Sequence, residues 1–418
     1  MSSAADSSHA PFLVWPVARR EFYRALSFAL LPTLAWGCVI FGWRALGLIV
    51  VAVAAASLSH SLLKRFTRRG KALVYPHAVT SALVLAALCY PTWPAWVVGC
   101  IALLLPPTFT LLGGPGKEPV HLAALAALLL QFALPLLPNE GFLSASPYAI
   151  LPQPAILARD RLVMGDIRNQ ASAPLYHWPT SVNLQGDDAV RMIPPTLVVR
   201  ETLDAVDDQL AHPEKVRAGA ASTAATLPAA TLPVAAVRRT FDTAFADQLP
   251  GIEGLLLGAI PGRTGLVSVA GILAGGLYLA YRYMLRPRSV ALFLIVYAIG
   301  LVLLAVGPTA LLHGNAHALV RFMAIFPGEL MTLLAYLFLC SDALFAAVFV
   351  LALPGTEPLT PRGRRVFLTV AALGAATLTR FGRSALPLPA CTASFIILMP
   401  FAQWFDGLFA KRSWLNRR

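Results

Sequence analysis

"YPHAVTSALVLAALC" runs from Tyr75 to Cys89, and "FPGELMTLLAYLFLC" runs from Phe326 to Cys340. Laid over one another, they share an aromatic-Pro start, matching leucines and a final Leu-Cys. Each is an apolar run with no Lys or Arg, of the kind that a bilayer accepts as a helix. Working outward from this pair, the chain divides into two halves around a polar middle. Ten stretches approach the ~20 apolar residues that a span needs. They are 25–42, 45–62, 73–90, 94–112, 119–137, 266–285, 290–312, 328–352, 365–380 and 387–409. If the halves are related, five spans in each give them inverted topology. A second echo, "PGKEP" (115–119) with "PGTEP" (354–358), does not fall at equivalent loops of a ten-span scheme. It is either a coincidence of ordinary turns or a mark of broken helices.

Composition sets the same class. The chain has 418 residues, of which 57% are hydrophobic and 13% charged. A soluble domain carries about twice that charge. The fold class is therefore an all-α integral membrane protein of about ten transmembrane helices in two five-helix halves, with a large loop region between the fifth and sixth. The net charge of +13 suggests nucleic acid at first. The cations sit instead at the ends of apolar runs, where a bilayer holds them, so the partner is lipid and nucleic acid is excluded. The five cysteines lie in apolar stretches without metal-ligand spacing, which excludes a zinc or iron–sulfur site of the CxxC kind. "HGNAH" (313–317) places two histidines at i, i+4 but without a third ligand, and reads as a solvated turn.

Lys and Arg in the short loops orient the chain. With the N-terminus inside, 19 of them fall on the cytoplasmic side and 4 on the other. Both termini are then cytoplasmic in a cell inner (plasma) membrane. The first apolar run follows Arg19-Arg20 without a cleavage site after it, and is expected to stay as an anchor. The expected organisation is a cytoplasmic segment (1–24), a first membrane half (25–138), an extracytoplasmic segment (139–262), a second membrane half (263–410) and a basic tail (411–418).

Within the extracytoplasmic segment, residues 195–216 show apolar positions at helical spacing with acids on the other face, stopped by Pro213. A second amphipathic helix is expected to start near Ala235. Between them lies "AGAASTAATLPAATLPVAAVRR" (218–239), a low-complexity run of small residues that carries four hydroxyls. Downstream, "GAIPGRTGLVS" (258–268) leads into the sixth span. Gly258, Pro261, Gly262 and Gly265 suit a tight turn, and a helix start favours an anion, with Arg263, Thr264 and Ser268 as added donors. The alternative is a turn leading into the helix with no ligand. Ionisable groups in or near the spans are ion-pathway candidates by default: Asp342 and Glu329 in the eighth, and Glu118 and His121 near the fifth.

Several of these pieces together resemble the RnfD/NqrB family, the D subunit of the Rnf electron-transport complex and the B subunit of the sodium-pumping NADH:quinone reductase. "LGGPGKEPVHLA" (112–123), the "IPG" stretch (255–282), "ALPGTEPLTPRGRR" (352–365) and the last span (378–406) are similar to family segments in the same order. The resemblance implies ten spans, a role in a redox-driven, ion-translocating oxidoreductase, and partner subunits that carry redox groups or flavins. It also implies FMN esterified through its phosphate to a Thr between the fifth and sixth spans. "TAAT" (223–226) stands at the matching place, which makes Thr226 the implied flavin-bearing residue beside Thr223, with Arg238 and Arg239 near enough in sequence to pair with a phosphate. Members of the NqrB kind also hold riboflavin. Ala224 stands for the family's Gly, Ala220 for its acid, Leu266 for its Glu and Ala352-Leu353 for its Thr-Asp. These departures mark a divergent, stand-alone member. The other functions weighed are a cofactor-free permease or ion pathway, and a membrane scaffold or biosynthetic accessory on the same fold.

Overall fold

The computed structural model describes residues 19–66, 75–91, 93–112, 121–133, 195–211, 240, 256, 262–305, 327–353, 358, 360–382 and 389–415. The described residues form helices and turns. In the first half these are α1 (Arg19–Phe41), α2 (Trp43–Phe66), α3 (Tyr75–Leu88), α4 (Ala95–Leu111) and α5 (Leu122–Ala133). A polar helix, α6 (Pro195–Ala211), precedes the second half. That half holds α7 (Val269–Tyr281), α8 (Pro287–Ala305), α9 (Pro327–Cys340), α10 (Ala343–Phe345, continued as a π-turn Ala346–Val350) and α11 (Pro361–Phe381). It ends in α12 (Ala390–Leu398), which passes through a 3-10 turn, Met399–Phe401, into α13 (Ala402–Leu415).

Each of the ten expected apolar stretches carries one of these helices. Four are long and apolar enough to cross a membrane: Arg20–Phe41, Trp43–Arg65, Pro287–Leu304 and Ala390–Leu408. A fifth passes only as a bent pair, Met331–Cys340 with Ala343–Val350, which meet at 53°. α3, α4, α5 and α7 are shorter apolar helices. The bend is a departure from the expected continuous eighth span, and it does not lie at a Pro-Gly pair. It falls at Ser341-Asp342. There the Ser341 hydroxyl donates to Phe338 O at 2.9 Å and accepts from Ala343 N–H at 3.3 Å, drawing the backbone out of the helical ladder. "PGKEP" and "PGTEP" lie outside the described residues, apart from Pro358.

The halves pack alike. α2 lies on α4, and α8 lies on α11, the second and fourth helices of each half. Between halves, α1 packs on α7 and α5 touches α12, first on first and last on last. The two echoed segments are α3 and α9, both of 14 residues, and both stop at the matched Leu-Cys. Lipid gives no hydrophobic drive for helix association, so close approach must come from small residues. At Gly275 of α7, an added Cβ would stand 2.2 Å from Ala29 O of α1, so this seam closes only over glycine.

α6 forms as its periodicity requires. Val199, Leu203 and Val206, at i, i+4 and i+7, are buried, while Asp204 faces outward. It rests on α9 and on the C-terminal ends of α8 and α11. Arg200 Nη2 donates to Gly382 O at 2.6 Å. The buried Arg380 forms an ion pair with Asp204 and donates through Nε to Leu304 O at 3.3 Å. One end of the second half is thus covered by a helix from the polar middle of the chain.

Candidate functional site

The expected site residues separate into two places, one in each half. The first is the loop Gly262–Ser268, which docks on the C-terminal end of α3. Helix ends leave carbonyls without partners, and this loop supplies donors. Gly265 N–H donates to Ala87 O at 2.9 Å. Thr264 donates to Cys89 O twice, through N–H and hydroxyl, each at 3.1 Å. Arg263 is buried; its Nη1 donates to Leu88 O at 2.7 Å and its Nη2 to Gln131 Oε1 on α5. Its guanidinium also lies 4.9 Å from the ring centre of Tyr90. The cation therefore meets the negative end of a helix dipole, an amide oxygen and a π-face, which offsets the cost of burying it. Only glycine fits at 265, where a Cβ would come within 2.4 Å of Ala87 Cβ. Ser268 then caps α7, its hydroxyl accepting from Gly271 N–H at 3.0 Å.

The donors that the sequence assigns to an anion in this loop are thus turned onto protein carbonyls. His121 is also engaged locally: it is buried, and its Nδ1 accepts from Ala124 N–H at 3.0 Å at the start of α5. Thr223, Thr226, Arg238, Arg239, Gly258, Pro261, Glu118, His313 and His317 lie outside the described residues. So does nearly all of the helix expected from Ala235. Glu329 falls in the first turn of α9, and its side chain is outside them too.

The second place is the break after α9. Asp342 is buried, and its carboxylate is aimed at the first turn of α12. Oδ1 accepts from Cys391 N–H at 3.0 Å and Oδ2 from Thr392 N–H at 2.6 Å. The acid sits where the helix dipole favours negative charge. Around it the sequence reading missed a set of small polar groups. The hydroxyls of Tyr297 on α8 and Thr379 on α11 are 3.0 Å apart, both buried. The side chains of Ser341 and Cys391 are within hydrogen-bonding reach of Tyr297, and the Cys391 thiol is within reach of Asp342. Thr392 adds a fully buried hydroxyl with no hydrogen-bond partner. These residues stand in long apolar runs, and only a hydroxyl or thiol at a core position hints at them. The arrangement provides one carboxylate at the centre of an apolar half and exchangeable protons beside it.

A model of the NQR2, RnfD, RnfE family matches residues 6–405. The chain belongs to the NQR2, RnfD, RnfE family. It is accordingly a membrane subunit of the Rnf/Nqr kind, from a family whose members work within multi-subunit membrane complexes. No individual curated protein matches this family member. The match runs through both halves, across the low-complexity stretch 218–239, the docked loop and the Asp342 break.

Proposed function

We propose that this subunit passes electrons through flavin, and that its second half carries the coupled movement of an ion. The observation that carries the reading is the unbroken family match over residues 6–405, which spans the place where the family holds its flavin. FMN, esterified through its phosphate to the Thr226 hydroxyl, supplies a redox group that accepts and releases electrons. Thr223 lies in the same motif, and Arg238 and Arg239 are the cations for the phosphate. Riboflavin is a second flavin of the same reading. Because the donors of the Gly262–Ser268 loop are engaged by α3, that loop acts as a fixed footing for the segment before it. Partner subunits bring the donor and acceptor of electrons. The segment around Thr226 lies extracytoplasmic by the distribution of Lys and Arg, in a bacterial-type inner membrane.

The test is the mass of the tryptic peptide Ala218–Arg238 from the purified protein, together with its visible absorbance. An FMN adduct on Thr226, lost in Thr226→Val, is expected. A peptide of unmodified mass from protein without flavin absorbance would falsify the flavin reading. In that case the polar cluster at Asp342 favours the second reading, a cofactor-free ion pathway on the same scaffold.

A further inference from the structure

We propose that Asp342 is a proton-accepting site, reached from the end of the bundle covered by α6 along Thr379, Tyr297 and Cys391. This rests on the ion-coupling half of the reading above and names the ion and its route. The outer end of the route is the Asp204–Arg380 ion pair. Asp204 is 55% exposed while the Arg380 side chain is 2% exposed, so the pair joins solvent to the interior. Arg380 is next in sequence to Thr379, whose hydroxyl meets that of Tyr297 at 3.0 Å. Tyr297 reaches the Cys391 thiol, and Cys391 reaches Asp342. The titratable groups that face Asp342 are Cys391 from α12 and Tyr297 from α8, along with the N-terminal peptide groups of α12. Four helical segments contribute, and each contributes a group with an exchangeable proton. Thr392 beside them keeps a buried hydroxyl with no hydrogen-bond partner, a polar group that apolar packing alone would not retain.

The chemistry selects a proton over a metal cation. A desolvated Na⁺ needs several hard oxygen ligands around it, as other hard cations do. Here both oxygens of Asp342 already face peptide N–H groups, whose positive ends repel a cation, and the nearest side chain is a soft thiol. A proton asks only for a chain of groups that each give one and take one. Water admitted at the ion pair gives a proton to the Thr379 hydroxyl. Thr379 passes its own to Tyr297, Tyr297 to the Cys391 thiol, and the thiol to the carboxylate. Each hydroxyl or thiol ends as it began. Asp342 alone changes charge, from carboxylate to carboxylic acid, and the reverse sequence returns the proton.

The experiment is infrared spectroscopy of the purified full-length protein after a pH jump. A carboxylic-acid band is expected to appear on acidification and to be absent in Asp342→Asn. In Tyr297→Phe, which removes a hydroxyl and keeps the ring, the band is expected to reach the same size but on the order of tenfold more slowly. In Asp204→Ala, which opens the ion pair, it is expected to appear faster. Should Asp342→Asn fail to fold, ¹³C-aspartate labelling assigns the band, and the Tyr297→Phe rate still decides. The proposal is overturned by folded protein with no titrating Asp342, by a band that follows sodium at fixed pH, or by an unchanged rate in Tyr297→Phe. None of these readouts uses flavin. Protein without an adduct but with a titrating Asp342 sinks the electron-transfer reading alone. Flavin-loaded protein with a silent Asp342 sinks this one alone.

Discussion

The carboxylate of Asp342 holds the backbone N–H of Thr392 at 2.6 Å, so an acid at the break of one helix caps the start of another. Its other oxygen holds the N–H of Cys391. Removing the acid leaves two buried donors without partners, at ~1–3 kcal/mol each. Asp342→Ala is expected to lower stability by about 3 kcal/mol and Asp342→Asn, which keeps one acceptor, by about half as much. Thermal unfolding in detergent measures both. Equal losses in the two variants would show that the N–H contacts are not what Asp342 supplies.

Arg263 spans two acceptors that a shorter or rounder cation does not reach together, Leu88 O and Gln131. Arg263→Met is expected to cost about 3 kcal/mol, since the carbonyl end of α3 loses its cap. Arg263→Lys keeps the charge without the planar fork and should recover less than half of that. Combined with Gln131→Ala, a double-mutant cycle is expected to show coupling of about 1 kcal/mol. Additive effects would separate the two side chains.

Two glycines give opposite expectations. A methyl at Gly275 would overlap Ala29 O, while at Gly47 on α2 it meets nothing within 4 Å. Gly275→Ala is expected to lose about 2 kcal/mol by forcing α1 and α7 apart. Gly47→Ala should be neutral or gain a few tenths of a kcal/mol from helix preference. Melting curves of the pair test whether the seam or the helix backbone decides.

Tyr283 has φ 55° at the C-terminal end of α7, the left-handed position that helices usually give to glycine. The turn is completed by Tyr283 N–H on Ala280 O at 3.0 Å and Met284 N–H on Leu279 O at 2.9 Å. The side chain is 91% exposed, so it contributes little packing. Tyr283→Gly is therefore expected to raise stability in detergent by ~0.5–1 kcal/mol, after the entropy that glycine adds to the unfolded chain. A drop instead would mean that the ring has a contact worth more than the backbone strain.

Hydropathy alone located every apolar helix, because a bilayer leaves few other ways to satisfy a backbone in an apolar run. α6 was legible for a different reason: Val199, Leu203 and Val206 repeat at the helical period among acids. The break at Ser341-Asp342 was not, since apolar residues continue on both sides of it and only contacts across the fold show where the ladder opens. The same holds for the site. Asp342 stands out in a sequence as an acid among leucines, yet its partners are at 391 and 392. Arg263 reads as an anion donor in a Gly-rich turn, and only the carbonyls of residues 87–89, far back along the chain, show what it meets. Tyr297 and Thr379 carry no signal at all apart from an oxygen in an apolar stretch.

The loop that finishes α3 belongs, by chain order, to the other half. Residues 262–268 lead into α7, yet their donors complete a helix that ended at Leu88. Ownership of the cap is thus crossed: the first half is synthesised with its third helix unfinished and must wait for the leading residues of the second. Neither half is a self-sufficient module, and a chain severed between α6 and α7 would regain the first half's architecture only by recapturing the fragment that begins with Arg263.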